Sequence, residues 1–586
     1  MSALDMAVGP QAEAIALPST VRAFVEAGPG AGKTWTLLRR AETLARRDEV
    51  RADRMLVLSF TRAVVVELRR RQAGAGGVGR IVPETFDSFA GRLLARHADG
   101  AVHGSYDSRI QQATALLRSR AAHETMGPLR HILLDEVQDL VGPRARFVEA
   151  LLEYHEGGFT AFGDPAQAIY DHEQDVDSGR FLDELDRLAD RRITLVGNHR
   201  AEVDLARQID EVRGRLMNAG PSDRPADDLY LACDTLGVLE SMPDLVGGYP
   251  GRTGILCRDN ATALQLSRLL HQAGVYHRVQ RRAADRPVGG WVAAVVGDSQ
   301  RVDRAQLAER LDALTESHLP CPDVDAAWGQ LQRLDREARG QAVRAVEINR
   351  AIGRGRIPAD MTDDPEEHIV VSTIHRAKGL EFDQCVIVDW ARDSVDDLAE
   401  LEQRVLFVAL SRARRMVLHV AGSERRNCWY RDASVGGRLI KRGKARWQTF
   451  GLEVYADDVH AADPAGAVGF DDAPPEVQHR LVHEVQPGDE VVLERVADQD
   501  LGTGEVPTYA VIHPSGPLGI TGRTLGDSLL RRSRTRAPAR IVGLRVDGVE
   551  TLAGSPDAGR AAGLGSSGLW LRPRLGGLGE FEWEQA

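Results

Sequence analysis

The sequence predicts two tandem α/β domains with parallel sheets, a helical insert in the second of them, and a small C-terminal all-β module. Short apolar runs alternate with stretches of helical spacing over most of the chain. This alternation is typical of parallel strands covered by helices on both faces. From about residue 450, alternating segments separated by Gly/Pro turns replace that pattern, as expected for antiparallel strands.

The first α/β domain is predicted over residues 1–190, with a short helical insert at about 90–130. Its strand candidates end in polar or glycine-rich turns and read VRAFVEA, MLVLSF, GRIVPETF, HILLDEV and FTAFGDP. Helical spacing lies between them in LLRRAETLARR, VVVELRRRQ and FVEALLEYHE.

The second α/β domain is predicted over residues 191–282 and 367–445. Its strand candidates are RITLVGN, TGILCRDN, HIVVSTIH, QCVIVDW and MVLHVAG. The charged helical stretch of residues 283–366 interrupts this domain and is predicted to form an inserted helical subdomain. Residues 450–586 are predicted to form the β-rich module, with a Gly/Ser-rich tail for which partial disorder is expected.

Composition indicates an ordinary globular protein, with 43% hydrophobic and 27% charged residues and no run long enough to cross a bilayer. No signal-peptide pattern is present at the N-terminus, and the five cysteines are widely spaced without a CxxC pair. We therefore expect a reducing, cytoplasmic location. The net charge of −12 does not exclude a nucleic-acid partner, because whole-chain charge says little about one groove.

A glycine-rich loop, AGPGAGKT at residues 27–34, follows the first strand candidate and precedes a helix. Such a loop directs backbone N–H groups at phosphates, while a lysine adds charge and a hydroxyl binds magnesium. A chance glycine-rich turn is the alternative, and the strand before and helix after the loop argue against it. The predicted nucleotide-binding residues of the loop are Gly28, Gly30, Ala31, Gly32, Lys33 and Thr34.

A carboxylate pair, Asp135 and Glu136, ends the apolar strand candidate HILLDEV. In a nucleotide site the first carboxylate holds magnesium and its neighbour accepts a proton from the attacking water. Two acids at a strand end are more often simply solvated. Their position after the phosphate loop, and their continuation by Gln138 and Asp139, favour the catalytic interpretation.

The motifs together resemble, in order, those of the UvrD/Rep/PcrA group of superfamily 1 DNA helicases. The segments are AGPGAGKT, LVLSFTRAVVVELRRR, VPETFDSFAGRLL, LLDEVQD, FGDPAQAIYD, LVGNHR, VSTIHRAKGLEFDQCVIV and EQRVLFVALSRAR. The resemblance implies two RecA-like domains, ATP and Mg²⁺ as cofactors, and single-stranded DNA as partner. The string TIHRAKGLEFD resembles the 3′→5′ branch of the superfamily.

The resemblance also assigns roles around the nucleotide. It implies that Gln11 and His199 contact the adenine and that Glu381 holds the ribose. The residues implied at the γ-phosphate are Gln167, Arg200 and Arg412. Arginines supplied by a second domain make hydrolysis conditional on closure of the cleft. The predicted catalytic residues are therefore Glu136, Lys33, Gln167, Arg200 and Arg412, with Thr34 and Asp135 on the metal.

Nucleic-acid contacts are implied for Phe60, Thr61, Arg62, Thr85, Phe86, Tyr170, His172 and His375. Aromatic faces stack on bases without sequence preference, as movement along any strand requires. Phe86 is equally typical of a hydrophobic core. Asp87 and His172 depart from the family pattern, which has histidine and tryptophan there. With the short inserts, these departures favour translocation over strand separation.

The sequence thus predicts an ATP-dependent 3′→5′ single-stranded DNA translocase or helicase, serving DNA repair or genome and antiphage defence. The alternative is a DNA-sensing ATPase subunit that regulates a partner nuclease and unwinds little. The partners expected are single-stranded DNA, including 3′-tailed or gapped duplex, and a protein bound by the C-terminal β-module, whose start weakly resembles a Tudor-like module. No membrane is expected.

Overall fold

The computed structural model describes residues 9–47, 50–59, 83–97, 106–119, 129–170, 178–218, 220, 223–280, 285, 287–335, 338, 341–358, 361, 367–388, 399–421, 430–431, 438–442, 449–467, 469–470, 472–496, 499–500, 505–532 and 537–583. The chain forms two compact units. Unit 1 comprises residues 1–237, 249–256 and 377–421, and unit 2 comprises residues 238–248, 257–376 and 422–586.

The first sheet has six parallel strands in the order β3-β2-β4-β5-β1-β6. They are β1 (Ala23–Ala27), β2 (Met55–Ser59), β3 (Glu84–Thr85), β4 (His131–Leu134), β5 (Gly158–Gly163) and β6 (Arg191–Leu195). Strands β1, β2, β4 and β5 are buried along their whole length, which is the signature of a sheet with both faces covered.

Helices cover this sheet and form a hydrophobic cluster on each face. They are α1 (Pro10–Ala16), α2 (Lys33–Arg47), α3 (Phe86–His97), α4 (Tyr106–Arg118), α5 (Gly142–Tyr154) and α6 (Ser178–Leu188). Phe24 belongs to one cluster and its neighbour Val25 to the other, since successive strand residues point to opposite faces.

Strand β6 corrects one sequence-based expectation. RITLVGN was expected in the second domain, but Arg191–Leu195 pairs in parallel with β1 at the edge of the first sheet. The position of a strand along the chain does not specify which sheet edge will satisfy its backbone hydrogen bonds. The first sheet therefore extends past residue 190.

The second sheet has the strand order β7-β14-β13-β8-β12-β9. Its strands are β7 (Asp234–Val238), β8 (Thr253–Cys257), β9 (Arg278–Val279), β12 (Ile369–Thr373), β13 (Phe382–Val388) and β14 (Ala413–Ala421). Strand β13 pairs in parallel with β8 and β14, and β12 pairs in parallel with β9. The two parallel α/β sheets predicted from the sequence are confirmed.

Helices associated with this part of the chain are α7 (Val203–Met217), α8 (Pro225–Ala232), α9 (Met242–Val246), α10 (Asn260–Gln272), α15 (Ile374–Ala377) and α16 (Ala399–Leu410). Residues 283–366 contain α11 (Trp291–Val296), α12 (Arg304–Ala313), α13 (Val324–Leu334) and α14 (Ala345–Gly353), with the antiparallel pair β10 (Arg301–Asp303) and β11 (Ala342–Arg344). Most elements of this segment in the described residues are helices.

An eight-stranded sheet forms the all-β part of unit 2, in the order β15-β16-β17-β24-β23-β18-β21-β22. Its strands are β15 (Tyr430–Arg431), β16 (Leu439–Arg442), β17 (Thr449–Val454), β18 (Glu490–Arg495), β21 (Tyr509–His513), β22 (Gly516–Ile520), β23 (Arg540–Ala553) and β24 (Leu569–Glu582). The short strands β19 (Gln499–Asp500) and β20 (Glu505–Val506) pair separately. Helices α17 (Pro474–His483), α18 (Arg523–Arg532) and α19 (Pro556–Ala561) complete this segment.

The Gly/Ser-rich tail is ordered, which corrects the expectation of partial disorder. Its last part is β24, which pairs antiparallel with β23 along most of both strands. The glycines serve close packing: a Cβ at Gly554 would lie 1.9 Å from the Trp570 ring, which is 2% exposed. Composition alone did not distinguish glycine used for packing from glycine in a flexible chain.

One hydrophobic core joins the helical insert to the all-β segment within unit 2. It contains Trp291, Leu307 and Leu331 from the insert together with Leu493 and Leu544 from the eight-stranded sheet. The Thr551 hydroxyl donates to the Gly289 carbonyl oxygen over 2.8 Å and accepts from the Ala293 N–H over 3.0 Å.

Within the described ranges, no helix combines the length and apolar character needed to span a bilayer.

Candidate active site

The glycine-rich loop connects β1 to α2, and two of its glycines have backbone angles that disfavour other residues. Gly30 has φ of 70° and Gly32 has φ of 82°. A Cβ at Gly30 would lie 2.0 Å from Asn198 Oδ1, and one at Gly32 would lie 2.7 Å from Gln11 Nε2. Both positions thus require glycine for conformation and for space.

Gln11 and His199, the predicted adenine contacts, both lie against this loop. Gln11 Nε2 donates to the Ala31 carbonyl oxygen over 3.1 Å. The His199 backbone N–H donates to the Gly30 carbonyl oxygen over 2.9 Å, and the His199 side chain is exposed. These contacts hold two segments that are distant in sequence at the mouth of the loop.

Lys33 and Thr34 are the first two residues of α2, directly after the loop. Lys33 Nζ donates to the Ala27 carbonyl oxygen over 3.1 Å and lies 4.0 Å from Glu136 Oε2. The N-terminal end of a helix favours negative charge, so the lysine and the helix end reinforce each other as a phosphate site.

Asp135 is fully buried at the end of β4 and has one unsatisfied oxygen. Ser59 Oγ donates to Asp135 Oδ2 over 3.2 Å, whereas Oδ1 has no hydrogen-bond partner among the described residues. Burial raises the pKa of Asp135, and the neighbouring Glu136 carboxylate raises it further. A buried carboxylate oxygen without a partner near the phosphate loop suits Mg²⁺ bound with a nucleotide.

Glu136 has φ of 52° and is the one non-glycine residue with positive φ in the described part of the chain. Gln138 Nε2 donates to Glu136 Oε2 over 2.6 Å. Although burial would raise the pKa of Glu136, the charges of Lys33 and Lys378 hold it below its ordinary value. A rare backbone conformation therefore presents an ionised carboxylate, as a general base requires.

Gln167 and the two predicted arginines form a connected group. Gln167 Oε1 accepts from Arg412 Nη2 over 3.0 Å, and Arg412 is 2% exposed. Arg200 Nη1 donates to the Ser411 carbonyl oxygen over 3.0 Å, and its Nε donates to Glu381 Oε1 over 2.7 Å. Residues from three separate segments of the chain thus meet beside the phosphate loop.

Glu381, predicted to hold the ribose, is paired with arginines in this structure. Arg200 bonds one of its oxygens, and Arg414 Nη2 donates to the other over 2.9 Å. Its role at the ribose stays a prediction.

The site also contains three residues that were not predicted as functional, namely Lys378, Asp164 and Arg213. Lys378 forms a buried ion pair with Asp139. Asp164 is 0% exposed and accepts hydrogen bonds from Gln167 Nε2 and Arg213 Nε. The strings KGLEFD and GDPAQ that contain Lys378 and Asp164 were part of the resemblance, but α7, which carries Arg213, offered no motif.

The predicted nucleic-acid contacts are only partly described. Phe60, Thr61, Arg62 and His172 lie outside the described residues. Tyr170 and His375 are half-buried, and Thr85 Oγ1 donates to Ser88 Oγ over 2.8 Å.

Phe86 corrects the expectation of a strand contact, because its ring is 1% exposed in the core of unit 1. The first residue of α3 points into the sheet, and the core alternative is what the structure shows. Its neighbour Asp87 is bonded instead by Arg144 Nη2 over 2.9 Å.

Family comparisons match the segments that build this site. The UvrD/REP helicase N-terminal domain matches residues 8–106 and 104–174, and the UvrD-like helicase C-terminal domain matches residues 368–419.

In the described part of the chain, no group of three or more His, Cys, Asp or Glu side chains forms a separate metal site.

Curated relatives include the ATP-dependent DNA helicase UvrD2 of Mycobacterium tuberculosis and of Mycobacterium bovis, each 25% identical over 414 residues, which is 62% of this chain and 57% of the relative. The chain therefore spans little more than half the length of these relatives. The crystal structure of the Pif1 helicase from Candida albicans aligns at 14% identity over 70% of this chain and 95% of that chain, with a TM-score of 0.37. The matched segments contain Lys33, Asp135, Glu136, Gln167 and Arg412, and over these segments the chain is similar to the UvrD-like helicases.

Proposed function

We propose that the chain is an ATP-dependent 3′→5′ single-stranded DNA translocase or helicase. The observation that carries the proposal is the single cluster formed by Lys33, Asp135, Glu136, Gln167 and Arg412. Such a cluster combines phosphate binding, a metal ligand, a base and an arginine, which are the recurring parts of phosphoryl-transfer sites.

Each residue has a physical task in hydrolysis. Lys33 and the end of α2 neutralise phosphate charge, and Asp135 would hold Mg²⁺, which supplies further charge neutralisation when bound. Glu136, kept ionised by Lys33 and Lys378, orients the attacking water and accepts its proton. Arg412 and Arg200 stabilise charge on the transferred phosphoryl group.

Coupling to movement would pass through Gln167. Its amide oxygen bonds Arg412, and its amide nitrogen bonds Asp164, so one side chain joins two segments of the site. A change at the γ-phosphate alters this bond and thereby the geometry between the segments. The 3′→5′ direction is supported by the TIHRAKGLEFD string, and a protein partner at the C-terminal β-module stays a prediction.

The test is ATP hydrolysis with and without single-stranded DNA by the parent, Glu136→Gln and the exposed control Glu153→Gln. We expect DNA-stimulated hydrolysis by the parent and the control. The Glu136→Gln variant should bind ATP and DNA but lose roughly 10²-fold or more in kcat. Hydrolysis by Glu136→Gln at the parental rate would contradict the assignment.

Direction and travel need separate measurements. Displacement of streptavidin from a biotinylated strand detects translocation, and unwinding of 3′-tailed against 5′-tailed duplexes detects direction. A protein that hydrolyses ATP on DNA but clears no streptavidin would instead fit a DNA-sensing ATPase.

A further inference from the structure

Arg213, on α7, donates to two buried carboxylates that flank the phosphate loop. Its Nη2 lies 2.7 Å from Glu26 Oε1, and its Nε lies 3.0 Å from Asp164 Oδ1. The three side chains are 14%, 9% and 0% exposed. A guanidinium presents a rigid planar fork, so these two bonds fix the position of both carboxylates relative to each other.

The Arg213 side chain also lies under the loop itself. A Cβ at Gly28 would come 2.9 Å from Arg213 Cδ. The arginine therefore contacts the strand before the loop, the loop, and the GDPAQ segment at the same time.

Asp164 connects Arg213 to the residues that would carry out hydrolysis. Its Oδ2 accepts from Gln167 Nε2 over 2.6 Å. An amide has one donating and one accepting end, so this bond leaves Gln167 Oε1 facing Arg412. Asp164 thereby sets which end of the glutamine meets the arginine.

A second branch runs from Asp164 towards the base. The Asp164 backbone N–H donates to Gln138 Oε1 over 3.1 Å, and Gln138 Nε2 donates to Glu136 Oε2 over 2.6 Å. Because the oxygen of the Gln138 amide accepts from Asp164, the nitrogen of that amide is the end that faces Glu136. Both branches depend on a buried aspartate that is held in place.

Arg213 is the cation that holds Asp164 in place. Glu26 has a second arginine partner, Arg192, whose Nη2 lies 2.8 Å away and whose side chain is 49% exposed. Among the described residues, the ion-pair partner of Asp164 is Arg213. Removing Arg213 therefore leaves Glu26 paired but leaves Asp164 as an uncompensated buried charge.

We propose that Arg213 is a positioning residue for ATP hydrolysis, which through Asp164 orients Gln167 towards Arg412 and Gln138 towards Glu136. This inference rests on the proposed ATPase function. Arg213 acts through Asp164, so its loss should alter turnover far more than nucleotide binding.

The experiment compares Arg213→Met with the matched control Arg192→Met in DNA-stimulated ATP hydrolysis by the full chain. For Arg213→Met we expect kcat to fall roughly tenfold to a hundredfold, with the ATP KM within about threefold of the parent. Arg192→Met also removes a cation from Glu26 but leaves Asp164 paired, so its kcat should stay within about twofold of the parent.

A second measurement separates positioning from a general structural role. In a Gln167→Ala background, Arg213→Met should lower kcat much less than it does in the parent, since part of its effect passes through Gln167. Full additivity of the two substitutions, or equal loss in Arg213→Met and Arg192→Met, would overturn the proposal.

The Arg213→Lys variant decides the matter if the methionine variant does not fold. Lysine keeps the charge but lacks the fork that reaches both carboxylates, so we expect a similar fall in kcat at parental thermal stability. A parent without ATPase activity would overturn the proposed function and this inference together. A fully active parent with fully active Arg213 variants would overturn this inference alone.

Discussion

Lys378 and Asp139 form an ion pair within unit 1, with side chains that are 7% and 1% exposed. The Lys378 ammonium also donates to the Gln167 carbonyl oxygen over 2.7 Å and lies 5.4 Å from the centre of the Tyr170 ring. Burial raises the pKa of Asp139 to about 6, and the Lys378 charge opposes that rise. The pair thus connects the segment that contains Lys378 to the segment after β4 that contains Glu136 and Asp139.

Replacing Lys378 by methionine should destabilise the protein, because it leaves a buried carboxylate without its cation. Breaking such a pair costs about 3–5 kcal/mol, whereas replacing both partners by apolar residues is often close to neutral. We therefore expect Lys378→Met to lower the free energy of unfolding in urea much more than the double variant Lys378→Met/Asp139→Leu. Equal losses in the two variants would show that the pair is not what stabilises this segment.

The glycine loop gives a second prediction, with a control on α3. Gly30→Ala forces a Cβ to within 2.0 Å of Asn198 Oδ1 at φ of 70°, so we expect loss of nucleotide binding, measured with a fluorescent ATP analogue. Gly91 lies inside α3 with open space around it. Gly91→Ala should leave binding unchanged and stabilise the chain by about 0.5–1 kcal/mol.

Arg412 should affect catalysis more than binding. An arginine that stabilises transition-state charge contributes about 10³-fold or more to kcat. Arg412→Gln should therefore bind ATP but hydrolyse it at least about 10³-fold more slowly. Arg415 lies three residues along, is half exposed, and among the described residues forms ion pairs with Glu202 and Asp383 over 3.9 Å. Arg415→Gln should therefore hydrolyse ATP normally. Parental turnover by Arg412→Gln would remove this arginine from the catalytic set.

The stability of unit 1 should depend on pH through His131, which is buried between Ser19 and Thr160. Burial, with a smaller effect of Arg40, lowers the pKa of His131 from 6.5 to about 3. The unfolded chain then binds a proton below about pH 6.5 that the folded chain does not bind. Stability from this group is complete above that pH and falls by about 1.4 kcal/mol per unit below it.

Urea unfolding at pH 7.5 and pH 5 checks this pH dependence. His131→Gln should lose less stability than the parent on acidification, whereas the exposed control His479→Gln should lose as much as the parent. An identical acid response of the parent and His131→Gln would rule out His131 as the source.

Local patterns predicted most of the strands and the nucleotide loop. The runs TGILCRDN and HILLDEV were identifiable because buried parallel strands are continuously apolar, and AGPGAGKT because few loops place lysine after such glycines. The contacts of Arg213 were not predictable, because helical spacing on α7 does not reveal whether an arginine finds a buried acid. The burial of Phe86 is of the same kind, since one phenylalanine serves a core or a base equally well.

The parts that sequence could not predict depend on contacts between distant segments. The pairing of Arg191–Leu195 with β1 was not predicted, because this strand follows all the other strands of the first sheet along the chain. The order of the tail could not be predicted from its composition, although most of Leu569–Glu582 is buried and the strand pairs with β23. Such pairings are decided by competition among sheet edges and faces rather than by the residues of one segment.

The common core of the insert and the eight-stranded sheet has a consequence for biosynthesis. Residues 288–361 leave the ribosome well before residues 439–581, yet both supply side chains to the same core. Apolar residues such as Trp291 and Leu331 must therefore wait for later translation before they can be buried. During that interval the nascent chain exposes apolar surface, and transient exposure of this kind favours aggregation.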